Sequence, residues 1–187
     1  MGLWSKVKNV VVPSNRDEAP QKATFATRED TVYAPVSGVL VSIQEVHDEI
    51  ISNGLFGQGY GVLPVGIECV YAPCDARISA TTVTNHSIGL TTDEGVEILI
   101  HVGVGTVDMN GKDFTRYVHA NDSVKAGTPL ISFDSAAIEE AGYENVVVIT
   151  IVNADQFSRI DLIGESGTLI GGRPLVKVGD PLLLVKH

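Results

Sequence analysis

Cysteine is nearly absent: Cys69 and Cys74 are the only two among 187 residues. Four residues separate them and no second pair follows, so they form neither a zinc knuckle nor a C-x-x-C redox motif and read as small buried side chains. Basic residues are also scarce. Thirteen Lys and Arg stand against 23 Asp and Glu, a net charge of −10 that argues against nucleic acid, because affinity for a phosphate backbone comes from clustered cations. Long apolar runs are missing too; nothing approaches the ~20 residues of a membrane span. Nor is there a secretory leader, since Lys6, Lys8 and Asn9 interrupt the apolar N-terminus and no A-x-A-like cleavage site follows. These absences point to a cytoplasmic protein whose partners are proteins or small molecules. The chain is nevertheless 44% hydrophobic, which excludes disorder throughout. At this length one domain buries roughly two-thirds of its unfolded surface and needs no disulfide or metal staple.

The charge is unevenly placed. Residues 1–12 carry Lys6 and Lys8 and no acid, leaving −12 on residues 13–187. In the leader, Leu3, Trp4, Val7, Val10 and Val11 share one face of a helix, with the lysines on its edges. That is the pattern of an interfacial helix lying on an anionic membrane surface; a segment docked on the domain or a disordered tail is the alternative. Myristoylation fits poorly, because Lys6 occupies the position where its motif wants Ser or Thr. Residues 13–30 are polar and aperiodic and read as a flexible tether, so the folded body is expected over 31–187.

From Thr31 onward the punctuation predicts an all-β domain. Short runs of Val, Ile, Leu and Thr recur between Gly, Pro, Asn and Asp: Gly38–Ile43, Gly61–Pro64, Ile67–Ala72, Arg77–Val83, Ile88–Thr92, Val96–Val102, Pro129–Phe133, Val146–Val152 and Pro181–Val185. Helical signals are few. Asp134 or Ser135 can cap a short helix through Ala141 that stops at Gly142, and Asp155 can open another turn. Two internal echoes suggest related pieces: Tyr33-Ala34-Pro35 with Tyr71-Ala72-Pro73, and the Val124–Leu130 segment with Val176–Leu182. Their irregular periods exclude a solenoid, which leaves an antiparallel sandwich or partly closed barrel with short helical turns.

Five histidines are the candidates for chemistry. His47, His119 and His187 sit in loop, polar or terminal contexts and read as solvated. His101 differs, ending the buried-strand run Ile98-Leu99-Ile100 and preceding Val102-Gly103-Val104-Gly105-Thr106, where glycines permit close approach. His86 stands in Thr84-Asn85-His86-Ser87. A hairpin turning at Asp93-Glu94-Gly95 would bring it toward His101. Two imidazoles alone make an incomplete zinc site, because a structural zinc takes four protein ligands and a catalytic one usually three.

The run Gly95–Val107, GVEILIHVGVGTV, resembles the phosphorylation-site signature of the glucose-class enzyme IIA domains of the phosphoenolpyruvate:sugar phosphotransferase system. Thr84-Asn85-His86 is similar to the element carrying that family's second histidine, Ala34-Pro35-Val36-Ser37-Gly38 to its opening strand, and Met1–Lys8 to the amphipathic leader of its free-standing members. The similarity spans 31–187, and it implies the duplicated hybrid-motif sandwich of that family. The implied function is a phosphoryl relay with no required cofactor. His101 would accept a phosphoryl group on Nε2 from the phosphohistidine of the carrier HPr and pass it to a cysteine of the EIIB domain of a sugar permease. His86 would donate a hydrogen bond to the phosphoryl oxygens, Thr84 would orient His86, and the Gly103 carbonyl would accept from His101 Nδ1–H.

Three positions depart from the family pattern: Thr82 where an aromatic is frequent, Ile88 where Phe is frequent, and Gly105 where Asp is frequent. They leave open which partners bind, and whether His86 and His101 hold a zinc ion completed by a partner carboxylate. A regulatory docking protein, whose unphosphorylated form inhibits permeases or metabolic enzymes, is the alternative function. A lysostaphin-type zinc endopeptidase would need an H-x-H pair, which Val102 and Gly103 deny, and a lipoyl or biotinyl carrier would need a lysine at a hairpin tip with its flanking pattern. For the leader, co-sedimentation with vesicles containing anionic lipid is expected for the full chain and lost without residues 1–12; equal sedimentation of the two would dismiss the anchor.

Overall fold

The structure, a computed structural model, describes residues 18–187. The leader expected at 1–12, and residues 13–17 of the expected tether, lie outside the described residues. The strands are β1 (Thr31–Tyr33), β2 (Gly38–Ser42), β3 (Gln58–Pro64), β4 (Cys69–Tyr71), β5 (Ala76–Thr81), β6 (Ser87–Thr91), β7 (Glu97–Val104), β8 (Phe114–Arg116), β9 (Ser123–Val124), β10 (Pro129–Phe133), β11 (Glu144–Ile151), β12 (Arg159–Leu162), β13 (Leu169–Ile170), β14 (Arg173–Val176) and β15 (Pro181–Lys186). Two short helices interrupt them, α1 (Glu49–Ser52) and α2 (Ser135–Glu140). Asp134 caps α2 by accepting from Ala137 N, and the chain leaves it through Gly142 at a φ of +86°, as the sequence predicts. Asp155 lies in a single 3₁₀ turn.

One nine-stranded antiparallel sheet runs in the order β13-β14-β2-β3-β11-β7-β6-β5-β9, and two three-stranded sheets, β1-β15-β12 and β4-β10-β8, cover it. The principal core fills the space between them. Ile98, Ile100, Val102, Ile149 and Ile151 of the large sheet meet Leu130 and Ile131 of one small sheet and Leu182 and Leu183 of the other. Burying one such aliphatic side chain is worth about 1.5–3 kcal/mol, which is why β-branched residues on alternate positions set the fold with few aromatics. A second, smaller apolar cluster lies apart from it and joins Val41, Ile43, Val46, Ile51, Val146 and Val148.

The echoes are the two halves of a duplication. Tyr33 N donates to Pro73 O at 3.1 Å, and Tyr71 N donates to Pro35 O at 2.8 Å, so each Tyr-Ala-Pro segment is bonded to the other. Ala34 exchanges hydrogen bonds with Gly179 and Asp180, as Ala72 does with Gly127 and Thr128. The second echo therefore supplies the turn that receives the first, once in each half.

The described part of the expected tether is irregular and largely exposed, but it is tied to the body at these same turns. Ala23 N donates to Gly127 O at 3.0 Å, and the Phe25 ring lies 5.4 Å from that of Tyr33. Gly127 (φ +82°) has no room for a side chain, since a Cβ there would lie 2.0 Å from the Ala23 carbonyl oxygen. At Gly179 (φ +89°) a Cβ would strike the Phe25 ring. Ala23 and Phe25 are received at the glycines of the echo, and Arg28 N donates to the Tyr33 hydroxyl at 2.8 Å, contacts that composition alone does not reveal. Gly127→Ala should cost more than Gly142→Ala, where φ is also positive but space is open; the expected losses are about 3 and about 1 kcal/mol, read from urea midpoints. Equal losses would show that the segment contributes nothing to stability.

Candidate functional site

Strand β7 alternates as its sequence demands. Ile98, Ile100 and Val102 are fully buried, while Leu99 and His101 are only partly covered and point to the other side. The expected β6–β7 hairpin is formed, with Ile88 opposite Ile100 and Ser87 opposite His101. On its other edge β7 pairs with β11, placing Val148 opposite His101. His101 thus sits mid-sheet beside a member of the smaller apolar cluster. His86 immediately precedes β6, and its carbonyl accepts from Val102 N at 2.8 Å, which fastens the two histidine-bearing segments together.

The two imidazoles meet edge to face, with ring centroids 4.9 Å apart and planes inclined at 73°. His86 is buried and His101 is half-buried. Thr84 Oγ1 lies 2.6 Å from His86 Nδ1, within hydrogen-bond distance of the ring. After His101 the backbone turns sharply: Gly103 and Gly105 have φ of +74° and +77°, and Thr106 Oγ1 donates to Val102 O at 2.5 Å. A Cβ at Gly103 would collide with Thr106 Cγ2. Nδ1 of His101 is enclosed and makes no hydrogen bond within normal geometry. The Gly103 backbone is nonetheless near enough to act on it as an acceptor and draw the His101 pKa upward.

Burial outweighs that pull. It pushes the His101 pKa down to about 4, helped by the neighbouring His86 and opposed by Gly103 and Asp48. Burial also lowers His86. Both rings are therefore neutral at pH 7, and a neutral imidazole has the free lone pair that nucleophilic attack requires.

Several neighbours were not legible as such. Asp48 is the N-cap of α1, accepting from Ile50 N and Ile51 N, and its charge reaches His101 across the fold. Tyr143 fills the space beside Gly105, where a Cβ would lie 2.8 Å from its ring. Arg116 reaches the histidine turn from β8, donating Nε–H to Asn85 Oδ1 at 3.0 Å. Asn85 stands in the left-handed region at φ +57°, a conformation in which Asn is enriched. His47 is pinned outside the pair by Glu144, whose carboxylate accepts from the His47 amide at 3.0 Å. His119 and His187 are not brought to the site. Exposed apolar side chains rise from the segments that carry it: Val83 before Thr84, Val107 after Thr106 and Ile50 after Asp48. A zinc ion does not fit these residues alone, since no group of three or more His, Cys, Asp or Glu converges among the described residues.

A duplicated β-sandwich with a pair of neutral, contacting histidines on a half-covered face defines a histidine-centred surface site. The comparisons with known proteins give it a family. The model of the phosphoenolpyruvate-dependent sugar phosphotransferase system EIIA 1 family matches residues 30–157, and the chain belongs to that family. It is 37% identical over 145 residues to the glucose-specific EIIA component of Haemophilus influenzae, covering 78% of this chain and 86% of that one. It is 36% identical over 147 residues to the β-glucoside-specific EIIBCA component of Bacillus subtilis, covering 79% of this chain but only 24% of that protein. The chain thus spans about a quarter of the length of the EIIBCA relatives it matches. The solved structure of glucose permease IIA from Mycoplasma capricolum superposes with a TM-score of 0.69 at 26% identity, over 86% of this chain and 98% of that one.

The depressed His101 pKa links to stability with a definite sign. Between the ordinary value of 6.5 and about 4 the unfolded chain binds a proton that the native site refuses, so native stability falls as pH drops through that window. His101→Gln removes this penalty. Urea midpoints should show the variant gaining on the native protein between pH 7 and pH 4.5; a constant difference would contradict the buried neutral imidazole.

Proposed function

We propose that this protein is a phosphoryl carrier in sugar uptake, with His101 as the residue that holds the phosphoryl group. The observation that carries the proposal is the edge-to-face contact of two neutral histidines at 4.9 Å, one of them with Nδ1 enclosed. That enclosure leaves Nε2 as the nitrogen available for attack. In the first step the P–N bond of a donor phosphohistidine on HPr breaks as a P–N bond to His101 Nε2 forms. In the second that bond breaks as a cysteine thiolate of an EIIB domain forms P–S. Each step exchanges one bond for another without oxidation or reduction, so no cofactor is required. The EIIBCA composition in the names of the β-glucoside relatives supports an EIIB acceptor.

With the Thr84 hydroxyl as donor in its 2.6 Å contact with His86 Nδ1, the ring proton of His86 stands on Nε2, where it donates a hydrogen bond to a phosphoryl oxygen as charge moves between donor and acceptor. The Gly103 backbone, which already draws the His101 pKa upward as an acceptor, is the partner for Nδ1–H that fixes the tautomer keeping Nε2 nucleophilic. Phosphorylation adds close to two negative charges to a chain already at −10, so cationic side chains on donor and acceptor complement the site. Val83, Val107 and Ile50 offer apolar contact around it. No helix among the described residues is long and apolar enough to cross a membrane. A cytoplasmic location, with residues 1–12 touching the membrane surface, suits a carrier that serves a permease.

Incubation with phosphoenolpyruvate, enzyme I and HPr should load one acid-labile phosphate on the native chain and none on His101→Ala. Loading of His101→Ala, or none on the native protein, would refute the assignment. His86→Gln should still load but transfer to an EIIB domain at least tenfold more slowly, and unchanged transfer would make His86 a bystander.

A further inference from the structure

The turn that carries His86 is held from outside its own sheet. β6 belongs to the nine-stranded sheet, whereas Arg116 ends β8 of a three-stranded sheet. Its guanidinium makes two bonds from one rigid plane: Nε–H to Asn85 Oδ1 at 3.0 Å and Nη1–H to Val118 O at 2.8 Å. Two donors in a fixed fork define an orientation, which a lysine ammonium cannot reproduce. What they orient is a residue in an uncommon conformation. Asn85 has φ +57°, a left-handed backbone that non-glycine residues keep only where their surroundings hold them in it. Its amide donates to Thr82 O at 3.2 Å, and Thr82 Oγ1 donates to Ser87 O at 3.2 Å, closing the turn from within.

Asn85 lies between the two residues whose relation matters. Thr84 Oγ1 touches His86 Nδ1, and the Asn85 backbone joins the two residues. If Asn85 relaxed to an ordinary φ, Thr84 would swing off Nδ1, and the His86 ring would lose both its preferred tautomer and its edge contact with His101.

We propose that Arg116 and Asn85 are a positioning pair that fixes the tautomer and direction of the His86 imidazole and thereby governs how fast phosphoryl leaves His101. The inference rests on the carrier reading above. Neither residue bonds to an imidazole, so both act through Thr84 and His86.

The test uses the full chain with three substitutions. Asn85→Gly keeps the left-handed backbone accessible but removes the acceptor; Asn85→Asp keeps an oxygen for Arg116; Arg116→Lys keeps the charge but loses the fork. In the unphosphorylated protein, imidazole ¹⁵N shifts should report one His86 tautomer for the native chain and Asn85→Asp, and an averaged mixture for Asn85→Gly and Arg116→Lys. In single-turnover transfer to an EIIB domain, Asn85→Gly and Arg116→Lys should be at least fivefold slower than the native chain, while loading from phosphorylated HPr stays within twofold. A native-like His86 tautomer and transfer rate in Asn85→Gly would overturn the proposal, as would an averaged tautomer in Asn85→Asp. Failure of the carrier reading has a different signature, a native chain that loads no phosphate, and the ¹⁵N measurement needs no phosphate to decide the positioning pair.

Discussion

Everything at the site depends on the register of β7 between β6 and β11. Because side chains alternate along a strand, a slip of one residue would turn His101 into the core and Ile100 out of it. The buried series Ile98, Ile100 and Val102 forbids that slip energetically, and the bond from Val102 N to His86 O forbids it geometrically. The hydrophobic core and the chemistry are thus set by one choice. The same constraint accounts for the electrostatics, since a histidine fixed mid-sheet beside Val148 is desolvated enough to stay neutral.

The duplication explains the frame around this ladder. Each Tyr-Ala-Pro segment donates to the proline carbonyl of the other, and each receives a Gly-turn from its own half. The paired small sheets follow, β1-β15-β12 in one half and β4-β10-β8 in the other. Function is not duplicated with the frame. Opposite His101 stands Val148, an apolar residue of the second cluster, so only one half of the central strand pair presents an imidazole.

Long, β-branched runs were legible because their burial and period declare themselves. Pro129–Phe133 matches β10 to the residue, and the β6–β7 hairpin follows from Asp93-Glu94-Gly95. The read run Gly61–Pro64 covers only the end of β3, because Gly59 and Gly61 break the pattern; a Cβ at Gly59 would lie 1.8 Å from Ile149 O, so close strand approach, invisible in sequence, explains the glycine. β1, β8, β9, β12, β13 and β14 were missed because they are two to four residues long and take their stability from partners elsewhere. At the site, His101, His86 and Thr84 could be read from spacing and resemblance. Asp48, Tyr143 and Arg116 could not, because they arrive from loops and strands far along the chain.

The bond between Ala23 and Gly127 also shows where the two halves are clasped. The turn at Gly127 receives one Tyr-Ala-Pro segment and the turn at Gly179 receives the other, and one short stretch, from Ala23 to Phe25, lies against both turns. A stretch with no strand or helix of its own thus bridges the two halves of the duplication, and a change at either turn reaches the other through it.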